Sequence, residues 1–145
     1  MTGKRRAMPG GPPAQVLEAA LYVDDLDAAR AFYGDVLGLP EIAAVEGRHV
    51  FFRVGATVLL LFDPERTELT ATNPRLPVPP HGGRGPGHLC FGASVDQIDG
   101  WRQKLEAAGH PIEADFAWPN GARSIYFRDP AGNSLEFAEP RLWAG

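Results

Sequence analysis

The strongest constraint on how this chain folds is that its pattern of elements runs twice. Val16 to Val23 reads as a strand. Asp24 and Asp25 then cap a helix whose apolar positions Leu26, Ala29, Phe32 or Tyr33, Val36 and Leu37 recur at helical spacing before Gly38 stops it. Three strands follow: a weak one from Pro40 to Val45, then His49 to Val54 and Thr57 to Phe62, the last two hinged at Gly55-Ala56. Beyond a Pro-, Gly- and Thr-rich stretch the order returns. His88 to Ala93 reads as a strand, and Asp96 is the expected cap of a helix bearing Ile98, Trp101, Leu105 and Ala108 that ends at Gly109. Pro111 to Ala117, Arg123 to Arg128 and Ser134 to Ala138 complete the second set.

The two copies register closely. Gly38 and Gly109 are 71 residues apart, Arg53 and Arg128 are 75, and Pro64 and Pro140 are 76, while LLLFDP at 59–64 superposes on LEFAEP at 135–140. This predicts an α+β fold of two tandem βαβββ modules, 15–64 and 88–140, joined by a linker over 65–87 and forming one domain over 15–140. Residues 1–14, with Lys4-Arg5-Arg6 and a Pro/Gly run, read as a disordered tail.

Length and composition narrow the partners. A chain of 145 residues buries one real core and is too short for two independent ones. A net charge of −4 argues against a nucleic-acid surface and leaves a small molecule as the expected partner. No apolar run reaches the roughly 20 residues that span a bilayer, no secretory apolar core opens the chain, and Cys90 has no second cysteine to pair with. A soluble cytoplasmic protein is expected.

Three polar residues interrupt apolar strands. Glu136 stands between Leu135 and Phe137, His88 opens the PGHLCF strand, and counting back from the helix caps sets Glu18 opposite His88. Superposing the last strands sets Leu60 opposite Glu136. A carboxylate on a strand either faces solvent or lines a cavity that needs its charge. If the modules are related by a pseudo-twofold, Glu18, His88 and Glu136 fall at equivalent inward points. Two carboxylates and an imidazole converging there are a ligand set for a divalent metal with positions left open.

The double βαβββ repeat, LYVDDLDAARAFYGDVLGL, PGHLCF and FRDPAGNSLEF resemble the vicinal oxygen chelate superfamily, the glyoxalase, bleomycin resistance protein and dioxygenase family. The resemblance covers nearly everything from Val16 to Pro140. It implies an open, eight-stranded barrel-like sheet with a divalent metal held by the first and last strands of the modules. Glu18, His88 and Glu136 fall on the family's ligand positions, whereas Leu60 falls on the fourth and cannot coordinate. It also implies a homodimer. A Glu-His-Glu set is hard and carries two negative charges, which suits Mn²⁺, Fe²⁺, Ni²⁺, Co²⁺, Mg²⁺ or Zn²⁺.

The reading is therefore a metal-dependent lyase, isomerase or thiol transferase acting on a small oxygen-rich substrate, with Glu136 or Glu18 as the proton-moving carboxylate. Two rivals remain: a metal-free protein that sequesters a planar drug, and an extradiol dioxygenase. Around the site, His49 either approaches the cavity or sits at an exposed strand end. Cys90 shares a strand face with His88. Trp118 and Tyr126 are candidates for the cavity wall, Arg123 and Arg128 either hold a substrate anion or are solvated strand ends, and His81 either folds over the mouth or stays in the linker. Trp101 reads as core and His110 as a cation at a helix C-terminus.

Overall fold

A computed structural model describes residues 9–144. The predicted tail lies outside the described residues up to Met8. The elements run in the order the repeat predicts. The first module has β1 (Glu18–Tyr22), α1 (Leu26–Arg30), a π-helical turn (Ala31–Val36), β2 (Glu41–Val45), β3 (His49–Val54) and β4 (Thr57–Phe62). The second has β5 (His88–Gly92), α3 (Val95–Ala107), β6 (Ala114–Ala117), β7 (Arg123–Arg128) and β8 (Ser134–Ala138). Two short helical turns were not legible in the sequence: α2 (Pro64–Thr67) opens the linker and a 3₁₀ turn (Pro140–Trp143) follows β8.

Local chemistry explains the boundaries. Asp25 caps α1 by accepting from the Ala28 N–H at 3.0 Å. The second helix starts earlier than Asp96, because Ser94 and Gln97 form a capping box in which each side chain accepts from the other's backbone N–H. The first helix does not run regularly to Gly38. After Arg30 it widens, with the Leu37 N–H reaching the Phe32 carbonyl at 3.0 Å, and this turn carries two adjacent buried rings, Phe32 and Tyr33. Gly38 takes φ +74°, the left-handed value a helix stop of this kind requires.

The eight strands form two four-stranded mixed sheets, ordered β1-β4-β3-β2 and β5-β8-β7-β6, with no closed barrel. In each, the first and last strands of the module run parallel and the rest antiparallel. Alternation along the strands sends Leu21, Val50, Phe52, Leu59 and Leu61 of one sheet, and Ile125, Phe127, Leu135 and Phe137 of the other, into one shared core. Phe32 meets Phe127 at 6.2 Å between ring centroids. Trp101 stacks on Phe137 at 5.2 Å, the core role expected of it, and His110 sets its ring edge-on to Phe32 at 5.0 Å rather than serving only as a helix-end cation.

A buried polar network joins the modules. Tyr33 donates to Asp129 at 2.7 Å, and the Asn133 side-chain amide donates both to Asp129 at 2.9 Å and to the Tyr22 carbonyl at 3.0 Å. Burial and the neighbouring Asp129 push the Tyr33 phenol far above its ordinary range. Each sheet thus turns one face to this common interior and leaves the other outward. No helix among the described residues is long and apolar enough to cross a membrane.

Candidate functional site

The strand register places the candidate residues on the outward faces. Glu18 lies beside Val58 and Ala20 beside Leu60 in the first sheet; His88 lies beside Ser134 and Cys90 beside Glu136 in the second. The offsets of 70 and 76 residues read from the sequence are therefore the ones the strand pairing obeys. Because side chains alternate, Glu18, Ala20, Tyr22, Leu60, Phe62, His49 and Phe51 share the outer face of the first sheet. His88, Cys90, Glu136, Ser124, Tyr126 and Phe116 share that of the second.

His88 and Glu136 meet, with His88 Nε2 3.3 Å from Glu136 Oε1. Both are fixed from behind. His88 Nδ1 is 3.0 Å from the Ser134 carbonyl, which can only accept, so Nδ1 carries a proton and, in the neutral ring, Nε2 presents its lone pair. The other Glu136 oxygen accepts from the Ser124 hydroxyl at 2.6 Å, and that hydroxyl accepts from the Trp118 indole N–H at 2.7 Å. Glu136 is 4% exposed, yet its Oε1 faces an imidazole nitrogen that has no proton to offer in this tautomer. Two acceptor atoms stay this close only with a proton or a cation between them, so the donor set fits a divalent metal ion.

Glu18 does not join them within the chain. Among the described residues no three His, Cys, Asp or Glu side chains come together as a metal cluster. Equivalent positions in the two modules point out of opposite sides of the shared core, so the pseudo-symmetry relates Glu18 to His88 without bringing it near.

Aromatic rings wall the His88–Glu136 pair. Tyr126 lies beside Glu136 in the register and stacks near His88 at 6.1 Å, Phe116 stacks on Tyr126 at 5.8 Å, and Trp118 meets Phe116 at 4.9 Å. Tyr126 thus stands beside the pair, and Trp118 is joined to Glu136 through Ser124. Burial and then Glu136 push the Tyr126 phenol up to about 12, and push the Cys90 thiol, although the residue is exposed, up to about 12. Phe116 and Ser124 were missed by the sequence reading. Ser124 stands two residues before Tyr126 on the same strand face, which was the available signal.

Arg123 is a correction. It precedes Ser124 and so points to the opposite face, where it pairs with Asp115 on β6 and Asp99 on α3. Its guanidinium holds the Asp115 carboxyl below the usual range and is itself raised. It does not line the site. Arg128 is engaged as well, bidentate to Glu113.

On the first sheet, His49 reaches the outer face and stacks on Phe51 at 4.0 Å. Its Nδ1 accepts from Arg48 at 2.6 Å, and burial first and then Arg48 lower its pKa. Leu60 lies half-buried on this face. His81 leaves the linker to sit edge-on over Phe62 at 4.6 Å, with its Nδ1 2.8 Å from the Tyr22 hydroxyl.

Two repeated modules, each with its first and last strands paired in parallel, define the architecture, and the family comparison agrees. The model of the Glyoxalase/Bleomycin resistance protein/Dioxygenase superfamily matches residues 15–137, and the chain belongs to that superfamily. Among solved structures it is similar to a lactoylglutathione lyase from Agrobacterium tumefaciens, with 47% identity, a TM-score of 0.87, and coverage of 92% of this chain and 99% of that one. A virulence protein from Salmonella typhimurium is similar at 26% identity and a TM-score of 0.64, over 88% of this chain and 98% of that one. A glyoxalase/bleomycin resistance protein/dioxygenase from Nocardioides shares the fold at 24% identity and a TM-score of 0.69, over 88% of this chain and 84% of that one. No curated protein sequence matches.

Proposed function

We propose that this chain is a divalent-metal-dependent lyase or isomerase of glyoxalase type, working as a homodimer in which each site combines the two outer faces. The observation that carries the reading is the His88 Nε2–Glu136 Oε1 approach of 3.3 Å, with each partner held by a second bond from behind. The likeness to a lactoylglutathione lyase supports the reaction class. His88 and Glu136 of one copy, with Glu18 of a second, would hold the metal. A metal there supplies Lewis-acid polarisation of two neighbouring substrate oxygens.

The chain's own residues do the remainder. Ser134 keeps the His88 ring in one tautomer, and Ser124 ties down one Glu136 oxygen so that the other is aimed outward. Glu136 would take and return a proton at the substrate carbon, with Glu18 as the second candidate. Phe116, Trp118 and Tyr126 exclude water on one side.

Dimerisation is supported by what the outer faces expose. Ile42, Val45 and Phe116 are each 40% exposed or more, β1 and β5 are unpaired sheet edges, and among the described residues of its own chain Glu18 has no partner ligand. Mixing Glu18→Ala and Glu136→Ala proteins tests the arrangement. A site shared between copies regains roughly a quarter of its metal on random pairing, whereas a site within one chain regains none. Formation of lactoylglutathione by the metal-loaded protein tests the reaction.

The second reading is a metal-free protein that sequesters a planar ligand between its aromatic walls. Leu60, where a fourth ligand would stand, and the lack of a three-donor cluster among the described residues favour it. Saturable binding of a planar drug by protein that takes up no metal would establish it.

A further inference from the structure

The outer face of the first sheet carries a group of hydrogen-bond donors that the metal reading does not use. We propose that Arg48, His49 and His81, arranged around the ring of Phe62, form a binding site for a small oxyanion, a carboxylate or a phosphate attached to a flat or apolar body.

Three observations carry this. The groups are gathered: Arg48 Cζ lies 5.4 Å from the Phe62 centroid, and the His49 and His81 rings lie 5.8 and 4.6 Å from it. Their acceptor atoms are used up inside the cluster. Arg48 can only donate, so its 2.6 Å bond makes His49 Nδ1 the acceptor and leaves the ring proton on Nε2. The Tyr22 hydroxyl lies 2.8 Å from His81 Nδ1, and in the tautomer where Tyr22 donates, the one an oxyanion would select, His81 likewise presents Nε2–H. Finally, nothing negative answers them: among the described residues no Asp or Glu lies within 4.0 Å of the nitrogens of Arg48, His49 or His81. Asp63, next in sequence to Phe62, spends one oxygen capping α2 through the Glu65 N–H.

A guanidinium fork and two imidazole N–H groups without an acceptor match an oxyanion in number and kind. The stacked Phe51–His49 pair, backed by the buried Phe62 ring, offers apolar surface for the body that carries it. The site is pinned. The His81 backbone N–H donates to the Thr67 carbonyl at 2.9 Å, and Gly83 passes so close to Tyr22 that an added Cβ would meet the ring at 2.9 Å. All the groups come from one chain, so the site stands whether or not a metal binds at His88 and Glu136.

The test uses the full chain freed of metal on a chelating resin, with the four histidine ring signals followed by NMR as inorganic phosphate or benzoate is added. The expected result is saturable movement of His49 and His81 with His110 unmoved, weakened at least tenfold in Arg48→Gln and in His81→Gln and unchanged in Arg75→Gln, an exposed linker arginine. Response to phosphate alone or to benzoate alone also supports the site and identifies the oxyanion. No saturable shift with either anion, equal movement of His110, or undiminished binding in both Arg48→Gln and His81→Gln would overturn it.

Discussion

Leu60 and Glu136 hold the same place in their two sheets, Leu60 beside Ala20 on β1 and Glu136 beside Cys90 on β5. One module thus carries a carboxylate within its last strand, and the other offers a leucine. Leu60 is half-buried on an outer face, so Leu60→Glu places its new charge where solvent reaches it. The variant is expected to fold with a stability change within about 1 kcal/mol and to bind divalent metal more tightly. Calorimetric metal titration checks this, and unchanged affinity in a folded variant would place Leu60 away from the metal.

Ser124→Ala removes the hydroxyl that holds one Glu136 oxygen at 2.6 Å. Metal affinity should fall about tenfold or more, as when an outer-shell partner is lost, while Ser124→Thr restores most of it. The absorption spectrum of the Co²⁺ form gives a readout independent of turnover.

Asn133→Ala should be among the most destabilising single changes. Its buried amide donates to Asp129 and Tyr22 and accepts from the Gly87 N–H at 2.7 Å, so its loss strands groups on both modules. A cost of about 2–4 kcal/mol is expected by urea denaturation.

The Asp115 pair with Arg123 and Arg102 gives a pH signature. Its carboxyl is depressed in the folded state, so its contribution is present above the unfolded value near pH 4 and is lost as pH falls through the folded one. Asp115→Asn should lower stability by about 1–2 kcal/mol at pH 7, between the values for exposed and charge-assisted pairs, because a fifth of the side chain stays exposed. The gap between variant and parent should narrow as pH falls through the depressed folded value.

The repeat was legible in the sequence because glycine stops and alternating apolar strands leave fixed marks, and the offsets they gave are those of the strand pairs. Whether equivalent positions meet is another matter. Glu18 and His88 are related by the repeat, but the shared core formed by Phe32, Tyr33 and Phe127 turns their sheets apart, and that depends on which faces pack, not on spacing. Arg123 was misplaced because a strand read without its neighbours does not show which face a residue takes. Ser124 went unseen because its one mark in the sequence, a strand face shared with Tyr126, does not show that Trp118 and Glu136 flank it. His81 was decided by the linker's own bonds to Thr67 and Tyr22, which composition does not encode.

The central claim is that His88 and Glu136 hold a divalent metal, and elemental analysis of protein purified without chelator, followed by calorimetric titration with Mn²⁺, Fe²⁺, Ni²⁺, Co²⁺, Mg²⁺ and Zn²⁺, tests it most directly. The account predicts a stoichiometric metal that His88→Ala and Glu136→Ala each remove while the protein stays folded. Wild-type protein that is metal-free and takes up none of the six ions would contradict it.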